Sequence, residues 1–222
     1  MFSQKEPTSK TVLRITDTEV SYLTLKKNNL GFFVDTHEQL SLVEGAIVQG
    51  EILMADFLYK VLKKISLSVE NKNIDVILAH EYFLCHDVEI SKVTKKQSLK
   101  KRVTKYFKEL SKEHSWQKTH VCEFSSNLHD ASEKILFTCL PKEIFGSYLH
   151  VLEKAGFKIS SMNSDILAFD HVLPKERASI ITIADDGLRM VEFKNGVYSS
   201  YKKFQVSYSL FTQDIMKSLN VS

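Results

Sequence analysis

Leu13-Arg14-Ile15-Thr16-Asp17-Thr18-Glu19-Val20-Ser21-Tyr22-Leu23-Thr24-Leu25-Lys26 lies without a gap over Ile181-Thr182-Ile183-Ala184-Asp185-Asp186-Gly187-Leu188-Arg189-Met190-Val191-Glu192-Phe193-Lys194. Six apolar positions, an Asp and a Lys coincide. In both stretches apolar and polar residues alternate on either side of a short polar break, which predicts a half-buried antiparallel hairpin. Two hairpins alone would be a weak match, because strand signals are short. The flanks carry the case that the chain begins twice.

After the first hairpin, Lys27-Asn28-Asn29 breaks the pattern and Leu30 to Asp35 alternates again, so a third strand completes a meander. From Glu51 to Ile65 the residues Ile52, Leu53, Phe57, Leu58, Val61, Leu62 and Ile65 recur at helical spacing, with Lys60, Lys63 and Lys64 opposite. The second hairpin is followed by the Asn195-Gly196 turn, the strand VYSSYKKF and a helix from about Ser207 to Leu219. Strand, strand, strand, helix is thus repeated.

Between the copies, Ile74 to Ala79 (IDVILA) reads as a central strand buried on both faces beside a parallel neighbour. Tyr82 to Ile90, Lys118 to Phe124 and Glu133 to Leu140 predict strands and Ser98 to Leu110 a basic helix, together an inserted subdomain. Pro141 suits the first residue of a helix marked by Ile144, Phe145, Tyr148, Leu149 and Leu152 and stopped by Gly156. Phe157 to Met162 is the next strand, Asn163 or Ser164 caps a helix to about Leu173, and Pro174 opens a hinge. The expected division is a leader at 1–10, a first half at 11–80 and 141–174, an insert at 81–140, and the start of a second half at 175–222.

Composition narrows the function classes. With 222 residues, 43% hydrophobic, 7 Gly and 3 Pro, the chain can build a real core. A net charge of +3 with 26% charged residues gives a mildly basic surface that does not by itself call for nucleic acid. Charges interrupt the longest apolar-rich stretch, Ala46 to Ile65, so it falls short of a membrane span. Met1 to Lys10 lacks the apolar core of a signal peptide, and an odd set of cysteines, Cys85, Cys122 and Cys139, fits a reducing cytoplasm.

Residues 135–169, ILFTCLPKEIFGSYLHVLEKAGFKISSMNSDILAF, together with Val43 to Ile52, resemble the PilM group of type IV pilus assembly proteins in the actin-like ATPase superfamily. FtsA and the cytoplasmic GspL proteins of type II secretion are relatives of that group. The resemblance implies an α/β, actin-like (RNase H-like) fold of duplicated β-β-β-α units. The family's second half, including an adenosine-binding region, continues past the position matched by Ser222.

The resemblance also implies phosphate loops of Asp-x-Gly type at the hairpin turns, where Gly lets backbone N–H groups approach phosphate and Asp holds Mg²⁺ or its water. Anchored on Val20 and Leu188, the family's Asp falls on Arg14 and Thr182 and its Gly on Thr16 and Ala184. Both loops have lost both residues. Asp17, Asp185, Asp186 and Gly187 are the residual candidates, within a shift of a few residues. The expectation is a chain without cofactor and without ATPase activity, ATP and Mg²⁺ returning only if a longer protein restores the site.

The PilM resemblance then implies an adaptor at an inner-membrane platform, holding the peptide tail of a PilN-like membrane protein by strand addition and side-chain pockets in the cleft beside the insert. Tyr82, Phe83, Leu84, Leu99, Arg102, Val103 and Tyr106 are the expected contributors, with an oligomer an option. The alternative is a nucleotide-dependent ATPase of the FtsA type that polymerises at the membrane. Lys92 to Lys112 is rich in lysine, more simply a solvated helix face than a dedicated anionic surface, and no aromatic-studded motif accompanies it to favour nucleic acid. His80, Cys85 and His86, and His120 with Cys122, lack the second close pair a zinc site needs. Cys139 reads as a small buried hydrophobe, and no G-x-S-x-G supports hydrolase chemistry.

Overall fold

In the computed structural model the described residues are 9–90, 109, 120–126, 133–166, 177–184, 187–194, 197–204, 212–213 and 217–218. They fall into two units: 1–85 with 100–123 and 138–165, and 86–99 with 124–137 and 166–222.

The first unit is built on the opening meander. β1 (Ser9–Ile15) runs antiparallel to β2 (Glu19–Asn28), and β2 antiparallel to β3 (Gly31–Ser41). Ser9 and Lys10, expected in a leader, already belong to β1. Two very short strands follow, β4 (Ile47–Val48) and β5 (Glu51–Ile52), joined through Gln49 and Gly50 at φ 50° and 84°. Positive φ at both central residues makes this a type I′ turn. The first helix, α1 (Ala55–Ser68), therefore starts later than Glu51, because Glu51 and Ile52 are spent on the hairpin.

β6 (Asn73–Leu78) lies parallel to β1 and, on its other side, parallel to β10 (Lys158–Ser164). The five-stranded sheet is ordered β10-β6-β1-β2-β3, with β10 and β3 as its edges. β6 is central as expected, but Ile74, Val76 and Leu78 are buried while Asp75 and Ile77 are only half-buried, so one face of the strand is sealed and the other is not. The second helix, α2 (Lys142–Ala155), has Pro141 as its N-cap and ends at Gly156, whose φ of 98° lets its N–H reach the carbonyls of Leu152 and Glu153.

Periodicity dictates what packs. Leu58, Leu62 and Ile65 of α1 and Tyr148, Val151 and Leu152 of α2 join Leu13, Ile15, Val20, Tyr22, Ile74, Val76 and Leu78 in one core. Each of the fully buried aliphatic side chains contributes about 1.5–3 kcal/mol.

β7 (Leu84–Ile90), β8 (His120–Ser126) and β9 (Glu133–Pro141) form a separate sheet in the order β7-β9-β8. In the second unit, β11 (Arg177–Ala184), β12 (Gly187–Lys194) and β13 (Val197–Phe204) form an antiparallel meander. Its register repeats that of the first: Leu13 faces Tyr22 and Ile15 faces Val20, as Ile181 faces Met190 and Ile183 faces Leu188. The gapless match in sequence is therefore a match in space. The basic helix at Ser98 to Leu110 falls outside the described residues save Glu109; those at 164–173 and 207–219 fall outside them save residues 164–166 and 212–213 with 217–218.

Candidate functional site

The β1–β2 turn, where a phosphate loop would sit, is closed on itself. Thr16 N–H donates to the Glu19 carbonyl at 2.9 Å, and Thr16 Oγ1 accepts from the N–H groups of Glu19 at 3.2 Å and Thr18 at 3.4 Å. Two backbone donors that a phosphate loop would present outward are thus taken up by a threonine hydroxyl. Arg14 is held by Glu19, Nη1 to Oε1, at 3.0 Å.

Asp17 has been recruited to a different task. Its Oδ2 accepts the Gln49 N–H at 2.9 Å, and its Oδ1 accepts the Gly50 N–H at 3.3 Å and the Tyr82 hydroxyl. One carboxylate ties together the β1–β2 turn, the β4–β5 turn and the 3₁₀ turn His80–Tyr82. The Tyr82 ring lies flat against Gly50, where an added Cβ would stand 2.7 Å from Tyr82 Cγ. Only glycine admits that approach.

Tyr148, on α2, is fully buried beside this cluster, and its hydroxyl has no partner within hydrogen-bond geometry among the described residues. Burial raises both phenols above the ordinary value; neighbouring Tyr148 and the Asp17 carboxylate raise Tyr82 further, and Asp17 raises Tyr148. Both rings stay neutral. His80 is pushed down to about 4 by burial, against a weaker upward pull from Glu81.

The other loop positions fare as follows. Thr182 is exposed on β11, and Ala184 ends that strand opposite Gly187. Asp185 and Asp186 lie outside the described residues. Gly187 is buried at φ 142°, and a Cβ there would meet the Phe204 carbonyl oxygen at 2.6 Å, so it serves a close backbone approach.

A second feature lies on the opposite side of the first unit's sheet from β3. Phe83, Thr138, Leu140, Phe145, Leu149 and residues 159–162 line a cavity of about 230 Å³. Ile159, Ser160, Ser161 and Met162 are consecutive on β10 across a bulge in its pairing with β6, where Ser160 Oγ donates to Asn73 Oδ1 and Ser161 Oγ to Asp75 Oδ1, both at 2.7 Å. Of the expected partner-binding residues, Phe83 lines it, Leu84 is half exposed, and Tyr82 is instead spent in the core with its hydroxyl on Asp17. Leu99, Arg102, Val103 and Tyr106 lie outside the described residues. Leu149 was legible as an apolar periodic position and Ile159 and Met162 as part of a strand, but nothing in sequence marks a cavity between them.

Among the described residues no three His, Cys, Asp or Glu side chains are placed to hold a metal. Cys139 is buried at 1% exposure as expected, but it is disulfide-bonded rather than a free thiol.

No protein-family model and no curated protein matches the chain in sequence. Solved structures do. The PilM-PilN type IV pilus biogenesis complex matches with a TM-score of 0.70 at 11% identity over 96% of this chain and 66% of that one. The cytoplasmic domain of EpsL, an inner membrane component of the type II secretion system of Vibrio cholerae, gives 0.56 at 12% over 89% and 71%. A Bacteroides thetaiotaomicron protein with actin-like ATPase fold and unknown function gives 0.52 at 11% over 97% and 78%. The chain spans just under two thirds of the first of these. With the repeated meander, the parallel β1-β6-β10 core and these matches together, the chain has the actin-like ATPase fold.

Proposed function

We propose that the chain is a non-catalytic adaptor of a type IV pilus or type II secretion-like platform, cytoplasmic and peripheral to the inner membrane, which holds an apolar peptide tail of a PilN-like membrane protein. The observation that carries the reading is the cavity lined by β10, which is an edge strand of its sheet among the described residues. An extended peptide there gains main-chain hydrogen bonds from the strand edge and side-chain pockets from Phe83, Leu140, Leu149 and Met162. The spent turn at Asp17 and the absence of the family's Asp and Gly at Arg14, Thr16, Thr182 and Ala184 support the non-catalytic half of the reading.

The test is fluorescence anisotropy with labelled N-terminal tails of membrane proteins encoded beside this chain. One tail should bind, and Met162→Glu should weaken it by tenfold or more, since the carboxylate would be buried without a partner. If no tail binds, or if the substitution leaves binding unchanged, the groove assignment fails. Melting with Mg-ATP decides the other half: a ligand present at about 100 times its Kd adds roughly 2.7 kcal/mol, so an upward shift of several degrees would replace the adaptor with a nucleotide-dependent protein.

A further inference from the structure

The edge of the sheet farthest from β10 ends in an apolar tip. The last pair between β1 and β2 is Ser9 with Lys26, so Lys27 and Asn28 of β2 and their partners Phe32 and Gly31 run on as a two-stranded ribbon among the described residues. Asn28 Oδ1 accepts the Leu30 N–H at 2.8 Å, and Gly31 turns the chain at φ 129°, which fixes the shape of the tip. Leu30 at its end is 97% exposed, followed by Phe32 at 39%, Phe33 at 44% and Val34 at 59%. In a soluble fold these groups face water at a cost.

Cations surround the base of the tip. The amino groups of Lys10 and Lys27 lie 5.1 and 5.7 Å from the centre of the Phe32 ring, and Lys26 pairs with Asp35 at 3.2 Å. Three lysines thus stand against one carboxylate. Successive residues of a strand point to opposite faces, so Phe32 and Phe33 present apolar surface on both sides of the ribbon, with Leu30 beyond them. A second protein surface would cover one of those sides. A fluid medium surrounds all of them.

We propose that the β2–β3 tip inserts into the interfacial region of an anionic lipid bilayer, with Leu30, Phe32 and Phe33 among the upper acyl chains and Lys10, Lys26 and Lys27 on the headgroup phosphates. Lysine stems run along apolar surface while their charges stay at the polar boundary, and basic and apolar groups reinforce one another in such a device. The inference does not depend on the peptide groove: a chain that failed to bind any tail could still bind lipid, and the reverse.

The experiment is co-sedimentation of the full chain with phosphatidylethanolamine–phosphatidylglycerol vesicles and with phosphatidylcholine vesicles. Binding should be stronger on the anionic vesicles and weaken with salt. Leu30→Asn with Phe33→Asn should lower partitioning by about tenfold or more, and Lys10→Gln or Lys27→Gln by roughly fivefold each. All four positions are exposed, so unchanged circular dichroism and melting will verify the fold. Failure to bind the anionic vesicles overturns the proposal, as does equal binding by the Leu30/Phe33 variant. So does a dimer in sedimentation velocity that needs Leu30 while vesicle binding is missing, which would assign the tip to a second copy.

Discussion

Replacing Asp17 by Ala should unlock three elements at once, and the cost can be worked through contact by contact. The Tyr82 hydroxyl, on a residue only 6% exposed, would lose its acceptor, which costs about 1–3 kcal/mol for a buried unpaired group. Gln49 sits at φ 50°, a conformation that costs about 1–2 kcal/mol for a residue with a Cβ and that the Asp17 carboxylate helps to hold through the Gln49 N–H. The Gln49 N–H is exposed and can be rehydrated, whereas Gly50 is buried and its N–H adds to the loss. The sum is about 3 kcal/mol, or a melting temperature lower by roughly 6–12 °C for a chain of this size. Tyr82→Phe alone keeps the ring on Gly50 and removes one hydrogen bond, for about 1 kcal/mol. In the Asp17→Ala background the same change deletes an already orphaned hydroxyl, so it should cost nothing or restore about 1 kcal/mol. Urea unfolding of the four proteins closes the cycle, with an expected coupling of about 1–2 kcal/mol. Additivity within about 0.5 kcal/mol would refute the account, because the two side chains would then act independently.

Gly50→Ala should destabilise by more than Gly45→Ala: both have positive φ, but a Cβ on Gly50 meets the Tyr82 ring and one on Gly45 meets nothing within 4 Å. Equal losses in thermal melts would contradict the packing of Tyr82. His80, neutral in the folded state with its value lowered from 6.5 to about 4, contributes stability that is complete above pH 6.5 and lost as pH falls toward 4, about 3 kcal/mol in all. His80→Gln should flatten that part of the stability–pH curve relative to the parent, and parallel curves would exclude the residue. Thiol titration of the urea-unfolded chain should find one reactive cysteine without reductant and three with it, since Cys139 is disulfide-bonded; three in both conditions would remove the disulfide and restore the reading of a fully reduced protein.

The duplicated meander was written in the sequence because strand alternation and turn residues are local properties. Leu13, Ile15, Val20 and Tyr22 announce their buried face by period, and Ile181 to Phe193 repeats it, so both hairpins and their shared register could be read in advance. The central place of β6 and the α2 helix between Pro141 and Gly156 were legible for the same reason. Tertiary structure alone decided where those residues are spent. Asp17 and Tyr82 are far apart in the chain and meet only because the parallel alignment of β1 and β6 carries the ends of both strands to one side of the sheet. The Gln49-Gly50 turn was overlooked because strands of two residues are too short to show a period, and the disulfide at Cys139 because a buried thiol and half of a buried disulfide sit in the same apolar sequence pattern. The cavity along β10 and the bare tip at Leu30 follow the same rule: periodicity tells a residue which face it occupies, and only the packed sheet determines which edges and ends are left open.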